Sequence, residues 1–412
     1  MSHSTIVVGG GVVGTATAYY LAKAGHSVTI VDQGRHGGAC SHANCGYVSP
    51  SHAPPIAQPG LIGPTMASML SSNSPFYIRP RVSPALWSFL IRFWWNCNEK
   101  QMKKAAQGKH ALLQSSRQLY QELIEGDQLD CNWEKRGLMF VFRDKHHFDD
   151  FGKTNDWLTQ ELNLPATPYA QGDLQKLEPA LKDHIAGAWH YPNDAHLRPD
   201  KLLRSWRTIL ERLNVTFLEQ HKVTEFVGEG ERLKAIQCGN ETLEADRYVV
   251  ATGAWSPAFN QKLGCTLRIQ PGKGYSITMA RPAICPKIPM LLEERHVGVT
   301  PFDDGYRLGS TMEFGGYDTR VNQKRLVLLK KGASDYLREP FTEETHEEWY
   351  GWRPMTPDDL PYIDFSPKYA NVLIAAGHSM LGLSMGTATG KLAWELLDKL
   401  DPHIDPRPYR LR

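Results

Sequence analysis

The chain has 412 residues, 46 lysines and arginines against 44 acids, and a net charge of +2 at neutral pH. That length predicts two interlocked domains, the near-neutral balance gives no global attraction to nucleic acid, and no apolar run is long enough to span a membrane. Seven cysteines without a C-x-x-C pair and a first strand four residues in predict reduced thiols, no targeting segment and a cytoplasmic location.

Ile6, Val7 and Val8 form a short apolar run, as expected of a strand buried on both faces of a parallel sheet. Gly9, Gly11 and Gly14 then fit G-x-G-x-x-G, spaced for a tight turn, a close backbone approach to a pyrophosphate and helix–strand packing. A helix over about 12–24 would aim the N–H groups of Val12 and Val13 at that pyrophosphate. Val28 to Val31 make the next strand, ending at Asp32 and Gln33. The Asp32 carboxylate suits both ribose hydroxyls and repels a 2′-phosphate, which disfavours NADP. NAD enzymes, FAD enzymes and non-catalytic sensors all use such a unit.

The stretch "GGACSHANCGYVSPSHAPPIAQPGLIGP" (37–64) reads as a long loop over a ligand. "SPALWSFLIRFWWNC" reads as a helix that is apolar nearly all round, with a thin stripe of Ser88, Arg92 and Asn96. It suits a core helix, or an interfacial one, because Arg79, Arg81, Arg92, Lys100, Lys103 and Lys104 flank its aromatic residues. A polar helix over about 100–125 and a strand in "WEKRGLMFVFRD" follow, then a helix opened by Pro199. A strand meander runs to Thr252-Gly253, and strands resume between about Cys265 and Arg338. At the end, Val372–Ala376 is a buried strand, Gly377 to Gly382 a turn, and Leu383 onward a helix.

Nucleotide-type strand–glycine–helix units therefore sit at both ends of the chain. A nicotinamide site is normally completed within one contiguous domain, whereas FAD is longer and its flavin needs a second set of contacts. A helix N-terminus at the flavin O2/N1 edge would stabilise the negative charge of the reduced ring. FAD is the expected cofactor.

Several stretches carry a family likeness: the opening unit, "SHANCGYVSPSHAPPIAQPG", "PGKGYSIT", "VTPFDDGYRLGSTMEF", "WRPMTPDDLPYI" and "NVLIAAGHSMLGLSMG". On these the chain resembles the FAD-dependent D-amino-acid dehydrogenases, within the wider glycine oxidase, sarcosine oxidase and D-amino-acid oxidase superfamily. The resemblance implies an α/β architecture. A discontinuous Rossmann-type FAD-binding domain (1–78, 187–262 and 349–412) would join an α+β substrate domain built on an antiparallel sheet (79–186 and 263–348). It implies oxidative deamination of D-amino acids to 2-oxo acids and ammonia, with electrons passed to a quinone or other respiratory acceptor. Ser41, Ala43 and Asn44 would then lie along the isoalloxazine, with His42 and Gly46 in the same loop. Val223 would meet the adenine through its backbone, and Thr252 and Gly253 would line the pyrophosphate. Gly377, His378, Gly382, Leu383 and Ser384 would cap the pyrimidine end, His378 through its backbone. Gly351 stands where sarcosine oxidases carry a flavin-linking cysteine, so FAD is expected to be non-covalent.

Hydride transfer from Cα to flavin N5 needs no side-chain base, but it needs an anchor for the carboxylate. Arg353 is the first candidate, since a guanidinium grips a carboxylate through two parallel hydrogen bonds. Tyr275 is the second, its hydroxyl supplying a directional contact in an apolar pocket. The structural alternatives are an ion pair for Arg353 and a half-buried strand tyrosine for Tyr275. His36, His42 and His52 lack ligand-like company, so no metal is expected, and Asp358 and Asp359 read as turn residues. Two other functions stay open: a glycine- or sarcosine-type oxidase producing hydrogen peroxide, and a nucleotide-binding redox sensor without chemistry. Beyond a small substrate and an electron acceptor, peripheral membrane contact through 79–104, at the cytoplasmic face, follows if the aromatic helix is interfacial.

Overall fold

A computed structural model describes residues 2–60, 69, 71, 74 and 76–412; residues 61–64, the end of the expected loop, lie outside the described residues. The elements that build the site begin with strand β1 (Ser4–Val8), helix α1 (Val12–Lys23) and strand β2 (Ser27–Val31). Helices α2 (Pro84–Asn96) and α3 (Glu99–Asp127) follow, then strands β3 (Thr216–Leu218), β4 (Arg247–Val250), β5 (Gln270–Met279) and β6 (Gly305–Phe314). Helix α4 (Gln323–Ser334), strands β7 (Thr345–Met355), β8 (Tyr362–Phe365) and β9 (Val372–Ala376), and helix α5 (Gly382–Leu397) complete the set.

Six strands form one sheet in the order β8-β9-β4-β1-β2-β3, parallel except for the β8–β9 pair. Side chains alternate across it, and both faces are buried. Val7, Ile30, Val249 and Leu373 face a core shared with α1, α3 and Trp206. Ile6, Val8, Val31, Val250 and Ile374 face the other way, onto the three-stranded sheet of Val223–Glu229, Arg232–Cys238 and Glu241–Glu244. Helices α1 and α5 cross at Gly390, where a Cβ would fall 2.5 Å from the Ala16 backbone.

The second sheet has nine strands. Its path runs β7-β5-β6 and on through Val297–Phe302, Met290–Leu292, Leu138–Phe142, Gly187–Tyr191 and Thr167–Ala170, with Phe76–Ile78 beside β6. It is antiparallel apart from two parallel pairs, Met290–Leu292 with Leu138–Phe142 and Phe76–Ile78 with β6. Helix α4 packs Leu326, Leu329 and Ala333 on its outer face against Ile277, Val299 and Leu308. By sheet membership, Gly187–Tyr191 and all of β7 join the nine-stranded sheet, although both reach into segments expected in the nucleotide domain.

Helix α2 starts where Ser83 accepts from the Leu86 N–H and Pro84 occupies the first turn. Only Leu86 and Phe89 are buried, whereas Trp87, Ile91, Trp94 and Trp95 are 49–60% exposed. Asn96 of the expected polar stripe turns inward and donates to Pro357 O. The helix thus presents its three tryptophans and Ile91 outward, with Phe89 and Phe93 toward the core. Among the described residues no helix is long and apolar enough to cross a membrane, and all seven cysteines are free thiols.

Candidate active site

A cavity of about 1020 Å³ opens at the carboxyl ends of β1, β2, β4 and β9 and continues to the face of β5, β6 and β7. That end of an open parallel sheet is where ligands bind, and the volume is at the upper limit for small-ligand pockets, as a dinucleotide needs. Gly9, Gly11, Val12, Val13, Asp32, Gln33, Val223, Thr252 and Gly253 line one end. Ser41, Ala43, Asn44, His378, Gly382, Leu383, Tyr275 and Arg353 line the rest.

The nucleotide end is built by close approach. A Cβ on Gly14 would sit 1.9 Å from Gly9 O, so Gly14 closes the β1–α1 turn and lies off the cavity wall. A Cβ on Gly11 would meet only Ser41 Oγ, at 3.4 Å, leaving room for a ligand to touch backbone. The first turn of α1 has N–H groups without intrahelical acceptors, and Ser41 Oγ takes one of them, from Val12, at 3.0 Å. Ser41 therefore sits beside the first turn of α1 and lines the cavity there. The Asp32 carboxylate accepts from Gly10 N and Gly34 N, both at 2.7 Å. Those bonds fix its plane and leave two of its roughly four lone-pair sites for ribose hydroxyls. The open glycines, the helix N-terminus and the oriented carboxylate fit FAD.

At the other end of the first sheet, His378 O accepts from Leu381 N and shapes the turn into α5. Its ring is buried, meets Thr389 Oγ1 at 3.0 Å and has its pKa pushed down to about 3 by burial, so it is neutral and structural. Gly377, at φ 85°, makes the turn without lining the cavity. Ser384 donates to Tyr47 O, and a Cβ on Gly46 would strike Leu197 O at 2.0 Å; both act in packing rather than at the cavity wall. His42 also lies off the wall, its Nε2 2.8 Å from Glu347 Oε1.

The loop that carries these residues is clamped by the second sheet. Ser276 Oγ donates to Ala43 O, Thr300 Oγ1 to Cys45 O, and Arg307 Nη1 to Asn44 O. Arg307 is buried and also donates to Thr278 Oγ1. Sequence reasoning missed these clamps. An arginine inside the apolar strand "GYRLGSTMEF" was the available signal.

Arg353 projects from β7 across β5, where a Cβ on Gly274 would fall 2.6 Å from its Cζ. Its Nη1 donates to the carbonyls of Ser310 and Thr311 at 3.5 and 3.3 Å. No Asp or Glu of the described residues pairs with it within 4.0 Å. Burial lowers its pKa, and the neighbouring Cys40 and Cys45 thiols give no counter-charge, since burial pushes both up, Cys40 to about 12. The result is a half-buried cation without an anion. Gly351 has no room for a cysteine side chain, because a Cβ there would meet the Trp349 ring at 2.3 Å.

Tyr275 lines the cavity, with its hydroxyl engaged by the protein. Alternation along β5 puts Gly274 and Ser276 toward Arg353 and the loop, and Lys273 and Tyr275 on the opposite face. There the Tyr275 hydroxyl donates to Glu313 Oε1 at 3.0 Å, and Glu313 also accepts from Asn322 and Arg325. The residue is 1% exposed, and its O–H donor is taken by Glu313. Among the described residues no cluster of His, Cys, Asp and Glu could hold a metal ion.

Residues 4–396 match the family model described as FAD dependent oxidoreductase. The chain belongs to this family. It is 31% identical over 405 residues to a D-amino acid dehydrogenase of Agrobacterium fabrum, covering 97% of this chain and 96% of that protein. It is 30% identical over 401 residues to the Paramagnetospirillum magneticum D-amino acid dehydrogenase, covering 95% and 94%. Among solved structures it is similar to the glycine oxidase of Geobacillus kaustophilus, with a TM-score of 0.81 at 22% identity over 100% of this chain and 99% of that one. The fold is thus that of FAD-dependent amine and amino-acid oxidoreductases, and FAD is the cofactor.

Proposed function

We propose that the chain oxidises D-amino acids to imino acids, which water hydrolyses to 2-oxo acids and ammonia. The observation that carries this is Arg353, a half-buried guanidinium without a carboxylate partner at the far end of a cavity that fits FAD. With Nη1 spent on two carbonyls, Nε and Nη2 remain as the two parallel donors a carboxylate takes. Bound FAD supplies the acceptor for the Cα hydride. The chain's own residues bind and orient: Asp32 holds the ribose, Gly11, Val13 and Gly253 the pyrophosphate, and Gly382 and Leu383 the ring's pyrimidine edge. Arg353 fixes the carboxylate, and with it the position of Cα. The D configuration is supported by the relatives' names.

A quinone or other respiratory carrier accepts the electrons, and α2 is the membrane contact, with Trp87, Ile91, Trp94 and Trp95 outward and basic residues around them. The protein is cytoplasmic and peripheral at the inner face of that membrane. One domain carries the six-stranded sheet and the other the nine-stranded sheet. Steady-state turnover of a D- and L-amino acid panel with a dye acceptor, followed by reoxidation in air, tests the reading. Turnover of D-amino acids with slow air reoxidation is the expected result. Rapid reoxidation with hydrogen peroxide identifies an oxidase, and no turnover of any amino acid removes the assignment.

A further inference from the structure

Strand β6 is buried at every residue but one, and that one, Ser310, lines the cavity. Ser310 holds φ 103°, a backbone conformation in which a side chain is strained. The strain lies at an irregularity in pairing. The β5–β6 register shifts between Gly274, opposite Met312, and Ser276, opposite Gly309, so Ser310 and Thr311 together face Tyr275. Such a bulge re-aims side chains, and bulges of this kind concentrate beside active sites. Here it turns two successive carbonyls to Arg353 Nη1. Thr311 is buried and off the cavity wall, whereas Ser310 is partly exposed, lines the cavity and makes no side-chain hydrogen bond among the described residues.

We propose that Ser310 is a second substrate-contacting residue, whose hydroxyl donates to the carboxylate held by Arg353. The inference rests on the reading of Arg353 as the carboxylate anchor. The chemistry allows both contacts: the guanidinium fork occupies two lone-pair sites of a carboxylate, and others remain for an O–H donor. The site therefore selects α-amino carboxylates over simple amines by two groups on β7 and β6, the strands that flank β5, one cationic and one neutral.

The test uses FAD-loaded Ser310→Ala, Ser310→Gly and Arg353→Leu with propionate, which has the carboxylate but no amine to oxidise. Its binding is read by titrating the flavin absorbance. A hydrogen bond to a charged group lost from both serine variants weakens propionate roughly ten- to a hundredfold. KM for the best D-amino acid rises in step while kcat stays within about threefold. Glycine adopts φ 103° freely, so Ser310→Gly keeps or raises Tm while losing the same affinity, which separates the contact from a structural role. Propionate affinity and KM within twofold of wild type in a folded Ser310 variant, with binding abolished by Arg353→Leu, overturn the serine's role and leave the anchor standing. Propionate binding that survives Arg353→Leu overturns the anchor and the inference together.

Discussion

Replacing Arg353 with leucine removes the one group on which substrate recognition is proposed to depend. The other cations lining the cavity among the described residues, Arg35, Lys222 and Lys262, belong to its nucleotide end, with Asp32, Val223 and Gly253. Arg307 is committed to Asn44 O and Thr278 Oγ1, and Lys273 lies on the opposite face of β5, donating to Asp318 O and Arg320 O. A substrate carboxylate entering the variant keeps its desolvation cost and loses two charge-assisted hydrogen bonds. Breaking a buried pair from one side costs about 3–5 kcal/mol, or about 150- to 5,000-fold in kcat/KM. The folded protein itself should suffer little, because the removed charge has no carboxylate partner and its partial burial is a cost that offsets the two long hydrogen bonds to Ser310 O and Thr311 O. Arg353→Leu is therefore expected to retain flavin content and Tm. The assay is dye-linked turnover of one D-amino acid and its amide with both proteins. The amino acid should lose two to nearly four orders of magnitude, and the amide less than threefold. Equal losses for the two compounds, or a variant as active as wild type, would refute the anchor.

Asp32→Ala removes a carboxylate held by Gly10 and Gly34 and should weaken FAD by roughly 1–3 kcal/mol, about 5- to 150-fold, in a titration of apoprotein; unchanged affinity would place the ribose elsewhere. His52, stacked near Tyr47 and Phe140, has its pKa pushed down to about 3 by burial and then by the Lys109 charge, and its Nδ1 has no hydrogen-bond partner. The unfolded chain takes that proton first, near pH 6.5, so the stability His52 contributes is whole above 6.5 and is lost as pH falls toward 3. His52→Phe should flatten the acid limb of the stability curve by about 1.4 kcal/mol per pH unit between those values, read from denaturant unfolding; an unchanged slope would show a charged histidine. Vesicles containing anionic lipid should sediment the protein at low salt and release it at high salt, and Trp87→Ser with Trp95→Ser should weaken the capture; no capture by wild type at low salt would leave α2 without its proposed surface.

How much of this was legible varies with how local the signal is. The opening unit was read as strands at 6–8 and 28–31 and a helix at 12–24, and the structure has Ser4–Val8, Ser27–Val31 and Val12–Lys23, because glycine spacing and apolar runs act within a few residues. Helix α4 was lost in a segment read as strands, although Leu326, Leu329 and Ala333 have helical spacing. Helix Lys145–Leu162 also had no place in that reading. The outward face of α2 was undecidable, since a helix apolar all round does not say which side its partner takes. The side on which the Tyr275 hydroxyl lies is illegible for a similar reason. Alternation along "PGKGYSIT" separates Tyr275 from Ser276, but which set meets the cavity depends on pairing with β7, a tertiary fact.

One legible signal was spread over four strands and is meaningful only once they are aligned. Gly351 of β7 pairs with Gly274 of β5, Ser276 of β5 with Gly309 of β6, and Gly309 with Gly298 on the next strand. A Cβ would strike the Trp349 ring at Gly351, the Arg353 guanidinium at Gly274, and Cys45 Sγ at both Gly309 and Gly298. Glycine inside a strand weakens it, so four across one sheet need a reason, and the usual one is a close approach by another chain segment or a ligand. Here the furrow seats Cys45, in the loop that borders the cofactor cavity, and lets Arg353 lie flat across β5. Anchor and loop are thereby brought to one wall by side chains that are missing, which is why reading each motif for the residues present located the cofactor's end of the site better than the substrate's.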